Sequence, residues 1–591
     1  MRRTIAFILV AFIVISCGQQ KKKIDYLTTF GKVYGYVKYF HPSDEAYAID
    51  WKQFAVYGAA EINKCNNKED LIETLDALFK PIAPSIVFTD ENYFTDYDFN
   101  LVKPDKSHTY CLTFWQHQGV SFGMVEFEYP NSPYESRRAI MNCDSINSQL
   151  FDYNPNIENI LSISIGSGLH CQMPMVLYRN SVGTFPKADA KLLNELKSKI
   201  IYRSNSPNNL SVRLGNLINT YNVFQHFYPY FDVVDVNWAL ELRKALKRSF
   251  SDKDGKDHLI TLQKFTAPLN DGHLSVNSKY NYVFIPQIAW EWIEGRLVIT
   301  KVLDKKITLQ VGDVVTHING TKANKYFEEV KSRISAATDG WRNYKAEINS
   351  LLGSENTVIS VRVNDKNIDL TRDLNYYHSM HLFKSNLKEY DILDDVIFYL
   401  NIELIRTDVI NELLPKLETC KAIIFDLRGY PTHSSFELIP HLLQINDTTT
   451  GWIQTPLVVF PNQEKIVGYD IFDYKEYVKA KNPFLGDKKI IILTNGQAIS
   501  ASETFLAYIE GYKLATIIGQ PTAGTNGVYN NFDLSGDYRI FFTGMKVLKQ
   551  NGSQHHGIGI LPDIYVEKTI KGVKEGRDEF LEKAIEIARN E

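Results

Sequence analysis

Apolar positions recur along this chain with three spacings, and each predicts a different element. In 24–90 the period is helical: Phe30, Val33, Tyr34, Val37 and Phe40 share one face, and His41-Pro42 ends the run. Two more amphipathic stretches follow, one starting near Trp51 and one over 71–79. Within 91–200 apolar and polar residues alternate over 109–114, 161–165 and 175–178, which predicts strands of a β-sandwich-like domain. In the last third the apolar runs are short and continuous. Ala422-Ile423-Ile424-Phe425, Ile490-Ile491-Ile492-Leu493 and 515–518 read as strands buried on both faces. Between the last two, a helix opens at Ser500 and puts Phe505, Leu506 and Ile509 on one side. Strand, helix, strand is the crossover of a parallel sheet, and Ser500 stands at the carboxyl edge of its strand, where such sheets bind ligands.

The helical pattern occurs twice. Tyr34, Phe40, Pro42, Trp51, Thr74-Leu75 and Pro81 reappear at one constant offset as Tyr221, Phe227, Pro229, Trp238, Thr261-Leu262 and Pro268. Two copies of one helical module follow, near 24–90 and 211–277. They differ at the end: the second copy closes on Asn270-Asp271-Gly272-His273, and the first has Ile86 in the place of His273.

Composition narrows the function. A net charge of −4 on 591 residues leaves no basic surplus for nucleic acid. Arg2-Arg3 precede an apolar run over 5–15 that is too short to span a bilayer. A cleaved secretory signal is one reading. The stretch Val14-Ile15-Ser16-Cys17 resembles a bacterial lipoprotein signal, which implies processing before Cys17 and a lipid anchor on its thiol, with 19–23 as tether. The other cysteines, Cys65, Cys111, Cys143, Cys171 and Cys420, have no C-x-x-C spacing, so zinc is not expected. One disulfide among the three in the middle segment fits an oxidising envelope. His555-His556 lack a third ligand at useful spacing, and neither metal nor cofactor is expected.

The chemistry centres on Ser500-Ala501-Ser502-Glu503. As a local pattern it fits a capping box, in which serine and glutamate satisfy the first helical amides. Its surroundings support more. The order strand, small-residue loop, S-A-S-E, helix, then Gly519, Thr522 and Gly524, resembles the nucleophile region of the C-terminal processing peptidases, or tail-specific proteases. Asp426-Leu427-Arg428-Gly429 resembles the start of their D-L-R-G-N-P-G-G signature, with Tyr430-Pro431-Thr432-His433 in place of the rest. Gly557-Ile558-Gly559-Ile560-Leu561-Pro562-Asp563 resembles their closing motif, and 309–320 resembles the paired-strand turn of a PDZ domain. The resemblance covers roughly 200–591. It implies Ser500 as nucleophile, with the Gly429 and Ala501 amides as oxyanion hole. The family's catalytic lysine is missing, because Thr525 holds its place. The tricorn branch uses a histidine placed before the PDZ-like domain, and His273 has that position. The residue that orients this histidine stays open among Glu503, Gln554, His555 and His556.

The expected fold is multidomain α/β. Its parts are a signal peptide over 1–17, a helical module over 18–90, a β-sandwich-like domain over 91–200 and a second helical module over 201–279. A PDZ-like β domain follows over 280–372, then a protease core with a crotonase-like βαβ sheet over 373–591. The expected function is a serine endopeptidase of the cell envelope, lipid-anchored and facing the periplasm, acting on unfolded or C-terminally presented polypeptides. The alternative is a catalytically degenerate lipoprotein that binds peptides or other ligands on the same scaffold.

Overall fold

The computed structural model describes residues 2–590 apart from 94, 105–108, 122–131, 142–147, 202–203, 384–387, 449–451 and 472–477, and for 2–17 the backbone alone. Its centre is a six-stranded sheet. The strands Ile397–Asn401, Ala422–Asp426, Lys489–Thr494, Thr516–Gly519 and Ile564–Tyr565 lie parallel in that order, and Tyr390–Leu393 closes one edge antiparallel. The continuous apolar runs have the cause read from the sequence. Ile423, Phe425, Ile490 and Ile492 face the helices Thr407–Leu417 and Ala501–Tyr512, while Ala422, Ile424, Ile491 and Leu493 face the terminal helix Glu579–Arg589. A strand covered on both sides has no polar face to alternate with.

The two helical copies coincide element by element. The helices Trp51–Ile62 and Lys68–Phe79 match Trp238–Ser249 and Gly255–Thr266 in length and spacing, and Arg2–Phe40 and Leu210–Phe227 end at equivalent phenylalanines. They are not separate domains, however. Their side chains share one core, which also takes Phe532, Ile540 and Phe542 from the last third of the chain. The reason lies in Leu210–Phe227, where nearly every side chain from Val212 onward is buried. A helix without a polar face must be surrounded, and the first copy supplies one wall.

The segment 91–200 is likewise not a self-contained unit. Its strand Cys111–Gln118 is paired by Glu135–Met141 along one edge. Along the other, Val176–Asn180 covers only Cys111 to Phe114, and Ile453–Val458 from the last third of the chain pairs His117 and Gln118. The long central strand would otherwise present unpaired backbone at its end. Cys111 is disulfide-bonded, Cys171 is buried and free, and Cys143 lies outside the described residues.

Residues 280–372 have their own apolar core, around Trp290, Ile299, Val315, Phe327 and Val361. The strand Val358–Val363 pairs with Lys366–Thr371. Val315, not Val314, fills the core beside Ile318, because the paired strands break at Thr316 and the alternation restarts there. An additional helix, Asp339–Leu351, packs into this core, and its cap Thr338 donates to Thr522 O and Ala523 O in the last third of the chain. Among the described residues no helix is long and apolar enough to cross a membrane.

Candidate active site

Ser500 follows the strand Lys489–Thr494 and immediately precedes the helix Ala501–Tyr512. Its backbone is held at φ 57°, ψ −115°, a conformation that costs a non-glycine residue about 1–3 kcal/mol. Two hydrogen bonds from the following loop impose it: Ser500 N donates to Thr525 O at 3.0 Å, and Ala523 N to Ala498 O at 2.9 Å. The capping-box reading fails here. The Ser500 hydroxyl caps nothing, and among the described residues it makes no hydrogen bond. A strained strand-to-helix turn that leaves the hydroxyl unspent is the geometry of an exposed nucleophile.

His273 arrives from the other side of the molecule. The strand Ser275–Ser278, directly after it, joins Tyr538–Thr543 as an antiparallel partner. This pairing sets His273 against Thr543, and its Nδ1 lies 2.9 Å from Thr543 Oγ1. The Thr543 hydroxyl donates its single proton to Asp271 Oδ1 at 2.7 Å. It therefore accepts from His273 Nδ1–H, which leaves Nε2 as the unprotonated nitrogen. Asp271 is fully buried, and it also accepts from Thr543 N at 2.6 Å and His273 N at 3.0 Å. Burial lowers the His273 pKa from its ordinary value, against the opposing pull of Asp271 and Glu503. A neutral imidazole with Nε2 free is a general base in its working form.

The two halves meet at Thr525. Its hydroxyl accepts from Gly272 N at 3.0 Å, and a Cβ on Gly272 would stand 2.9 Å from Thr525 Oγ1 and 3.0 Å from Ile499 Cδ1. Only a glycine lets the His273 turn approach the Ser500 turn this closely. Trp341 Nε1 donates to Gly272 O at 3.0 Å, and the Ser335 hydroxyl accepts from Asp271 N at 2.8 Å, so the 280–372 unit clamps the same turn. The Ser500 hydroxyl and His273 Nε2 are not hydrogen-bonded to each other.

Glu503 does not orient the histidine. Its buried carboxylate accepts from the Thr522 hydroxyl, from Gly524 N at 2.7 Å and from Thr525 N at 2.9 Å, with His555 Nε2 at 3.4 Å. Those oxygens lock the loop that strains Ser500. His555 Nε2, though close, makes no hydrogen bond among the described residues. His556 stacks on Tyr230 with ring centres 3.8 Å apart, and burial pushes its pKa down to about 4. Gln554 is exposed and bonds to His556 O. The orienting pair is thus Asp271 with Thr543, which the sequence reading missed; the only local hint was the aspartate of D-G-H.

Gly429 and Ala501 are brought together. The Ser502 hydroxyl, one residue past Ala501, donates to Gly429 O at 2.9 Å. Neither the Gly429 nor the Ala501 amide has an acceptor among the described residues. Two idle amides next to Ser500 are what an oxyanion hole requires. A Cβ at Gly429 would lie 2.5 Å from Glu403 Oε2, the far end of a flexible side chain. Among the described residues no group of three or more His, Cys, Asp or Glu could hold a metal.

The model of peptidase family S41 matches residues 397–566, and this part of the chain is a peptidase S41 domain. A carboxy-terminal-processing protease of Bartonella bacilliformis is 23% identical over 279 residues, which is 45% of this chain and 60% of that protein. A probable CtpA-like serine protease of Staphylococcus epidermidis is 36% identical over 95 residues, 16% of this chain and 19% of the relative. The chain therefore matches only part of each relative's length. Among solved structures, mature CPAF complexed with lactacystin superposes with a TM-score of 0.53 at 12% identity, over 64% of this chain and 98% of that one, a likeness of fold.

The relay predicts a specific mutant pattern. Thr543→Val keeps the shape but removes the acceptor for Nδ1–H, and kcat for peptide hydrolysis should fall about 10- to 100-fold with KM little changed. Thr543→Ser should restore it. In wild type the acid limb of kcat/KM should lie below the ordinary histidine value of about 6.5, because the base is lost only as pH falls through the lowered pKa. Full activity in Thr543→Val would exclude the relay.

Proposed function

We propose that the protein is a serine endopeptidase acting on unfolded or C-terminally presented polypeptides. The observation that carries this is the hydrogen-bonded chain Asp271–Thr543–His273, set beside a strained Ser500 with a free hydroxyl. Ser500 Oγ attacks the peptide carbonyl while His273 Nε2 takes its proton. The Gly429 and Ala501 amides hold the developing oxyanion, a contribution of about 3 kcal/mol for such donors. The protonated imidazole then passes the proton to the leaving amine, and water completes the cycle with His273 again as base. Thr525, in the place of the family's lysine, is a scaffold residue that fastens Gly272.

The second reading, a degenerate binding protein on this scaffold, draws on one observation: the missing hydrogen bond between Ser500 and His273. Free active sites commonly hold this contact loose until substrate closes it. The PDZ-like unit 280–372 is proposed to present extended chain by strand addition. Location is proposed as the cell envelope, periplasm-facing, through lipid on Cys17.

Two tests follow. Ser500→Ala and His273→Ala should each abolish cleavage of an unfolded protein, and the double variant should be little worse, since groups acting as one unit are non-additive. Wild type should cleave that long substrate with a lower KM than a short peptide containing the same bond. Undiminished cleavage by His273→Ala would refute the assignment, and equal KM values would refute the presenting role. For location, exported wild type should partition into detergent and Cys17→Ala should not. A wild type that stays in the aqueous phase would contradict the anchor.

A further inference from the structure

A second cavity, about 340 Å³, lies among the helical copies and the middle strands, and no residue of the Ser500 site lines it. Its walls include Lys38, Tyr39, Tyr47, Trp51, Trp115 and Asn219. Three features distinguish it from ordinary packing space. The Lys38 ammonium sits over the rings of Tyr39 and Tyr34, at 4.7 and 5.4 Å, and donates to Asn219 Oδ1 at 2.8 Å, a neutral partner. Among the described residues it forms no ion pair. The Tyr39 hydroxyl is buried without any hydrogen-bond partner. Trp115 is held flat by stacking on His117, with ring centres 5.5 Å apart and planes 7° from parallel.

A half-buried ammonium with only an amide oxygen and ring faces beside it lacks a counter-charge, and the buried hydroxyl lacks a partner. An anionic oxygen entering the cavity would supply the missing counter-charge. The remaining lining limits the charge of that anion. Asp533 stands on the wall and disfavours a polyanion, and Lys52 is exposed. The aromatic walls suit a flat apolar body, and the volume is at the small end of ligand sites.

We propose that this cavity binds a small monocarboxylate carrying an aromatic body, with the carboxylate on Lys38 and the ring against the wall formed by Trp51 and Trp115. The carboxylate could be that of a free acid or of a peptide C-terminus; the chemistry is the same. Protonation adds a distinctive signature. Burial, reinforced by Lys52 and opposed by Asp50, lowers Lys38 to about 7. The other groups facing it are His117 and His226, which burial lowers to about 4 and about 3, Tyr34 and Tyr39, which burial raises, and Asp533. Neither histidine is charged above pH 6, so lysine dominates the proton balance there. A bound carboxylate raises the Lys38 pKa, so binding at pH 8.5 must take up a proton.

The test is titration calorimetry of the full chain with 4-hydroxyphenylacetate and its neutral amide, at pH 6 and 8.5, in buffers of different ionisation heat. The expected result is at least tenfold preference for the acid at pH 6. Uptake should be close to one proton per site at pH 8.5, and little at pH 6. Lys38→Met should lose the preference. Equal binding of acid and amide, no binding of either, or binding at pH 8.5 without proton uptake would overturn the proposal, and the wild-type measurements decide even where the variant misfolds. Glycyl-tyrosine and its amide form the second arm. Tighter binding of the dipeptide than of the free acid assigns the site to a peptide end, and weaker binding assigns it to a free acid.

Discussion

The Asp271 carboxylate is the junction on which the site depends. It is fully buried and receives three donors, two from Thr543 and one from the His273 backbone. These bonds fasten the end of the second helical copy to a strand that lies far away in sequence. They also decide the chemistry, because a threonine hydroxyl that has given its proton to a carboxylate can only accept from the imidazole. The tautomer of His273 follows from that direction, and with it the nitrogen available to Ser500. Removing the carboxylate would leave buried donors unpaired as well as free the ring to turn.

A second lock acts on the nucleophile. Glu503 takes the hydroxyl and amides of 522–525, and that loop in turn returns the bonds that strain Ser500. The closing motif strengthens it: Ile560 N donates to Thr522 Oγ1, and Asp563 accepts from Ile517 N. The two locks share Thr525, whose carbonyl holds Ser500 and whose hydroxyl holds Gly272. Thr525 therefore couples the Ser500 turn to the His273 turn mechanically, without supplying a charge.

Much of this was legible in the sequence, and the limit is physical. The parallel sheet announced itself because strands buried on both faces carry unbroken apolar runs. The helical copies were visible because their packing aromatics repeat at fixed spacing, down to the paired tryptophans Trp51 and Trp238. Ser500, Gly429 and Ala501 lie on short motifs whose geometry is local. Thr543 had no such signal, since its role comes from pairing Ser275–Ser278 with Tyr538–Thr543, a contact between distant parts of the chain. The partners of Glu503 left no local signal either, since they lie past the next strand and not on its own helix. The pairing of Cys111–Gln118 with Ile453–Val458 is long-range too and left no local signal.

The central claim is that Ser500 is activated by His273 held on Asp271–Thr543. The most direct measurement is the rate at which a fluorophosphonate labels Ser500, followed by intact mass across pH in wild type and His273→Ala. The account predicts a single label on Ser500, a rate that rises through one ionisation below about pH 6.5 and then levels, and loss of labelling in the variant. Absence of labelling in wild type, or an equal rate in His273→Ala, would contradict it.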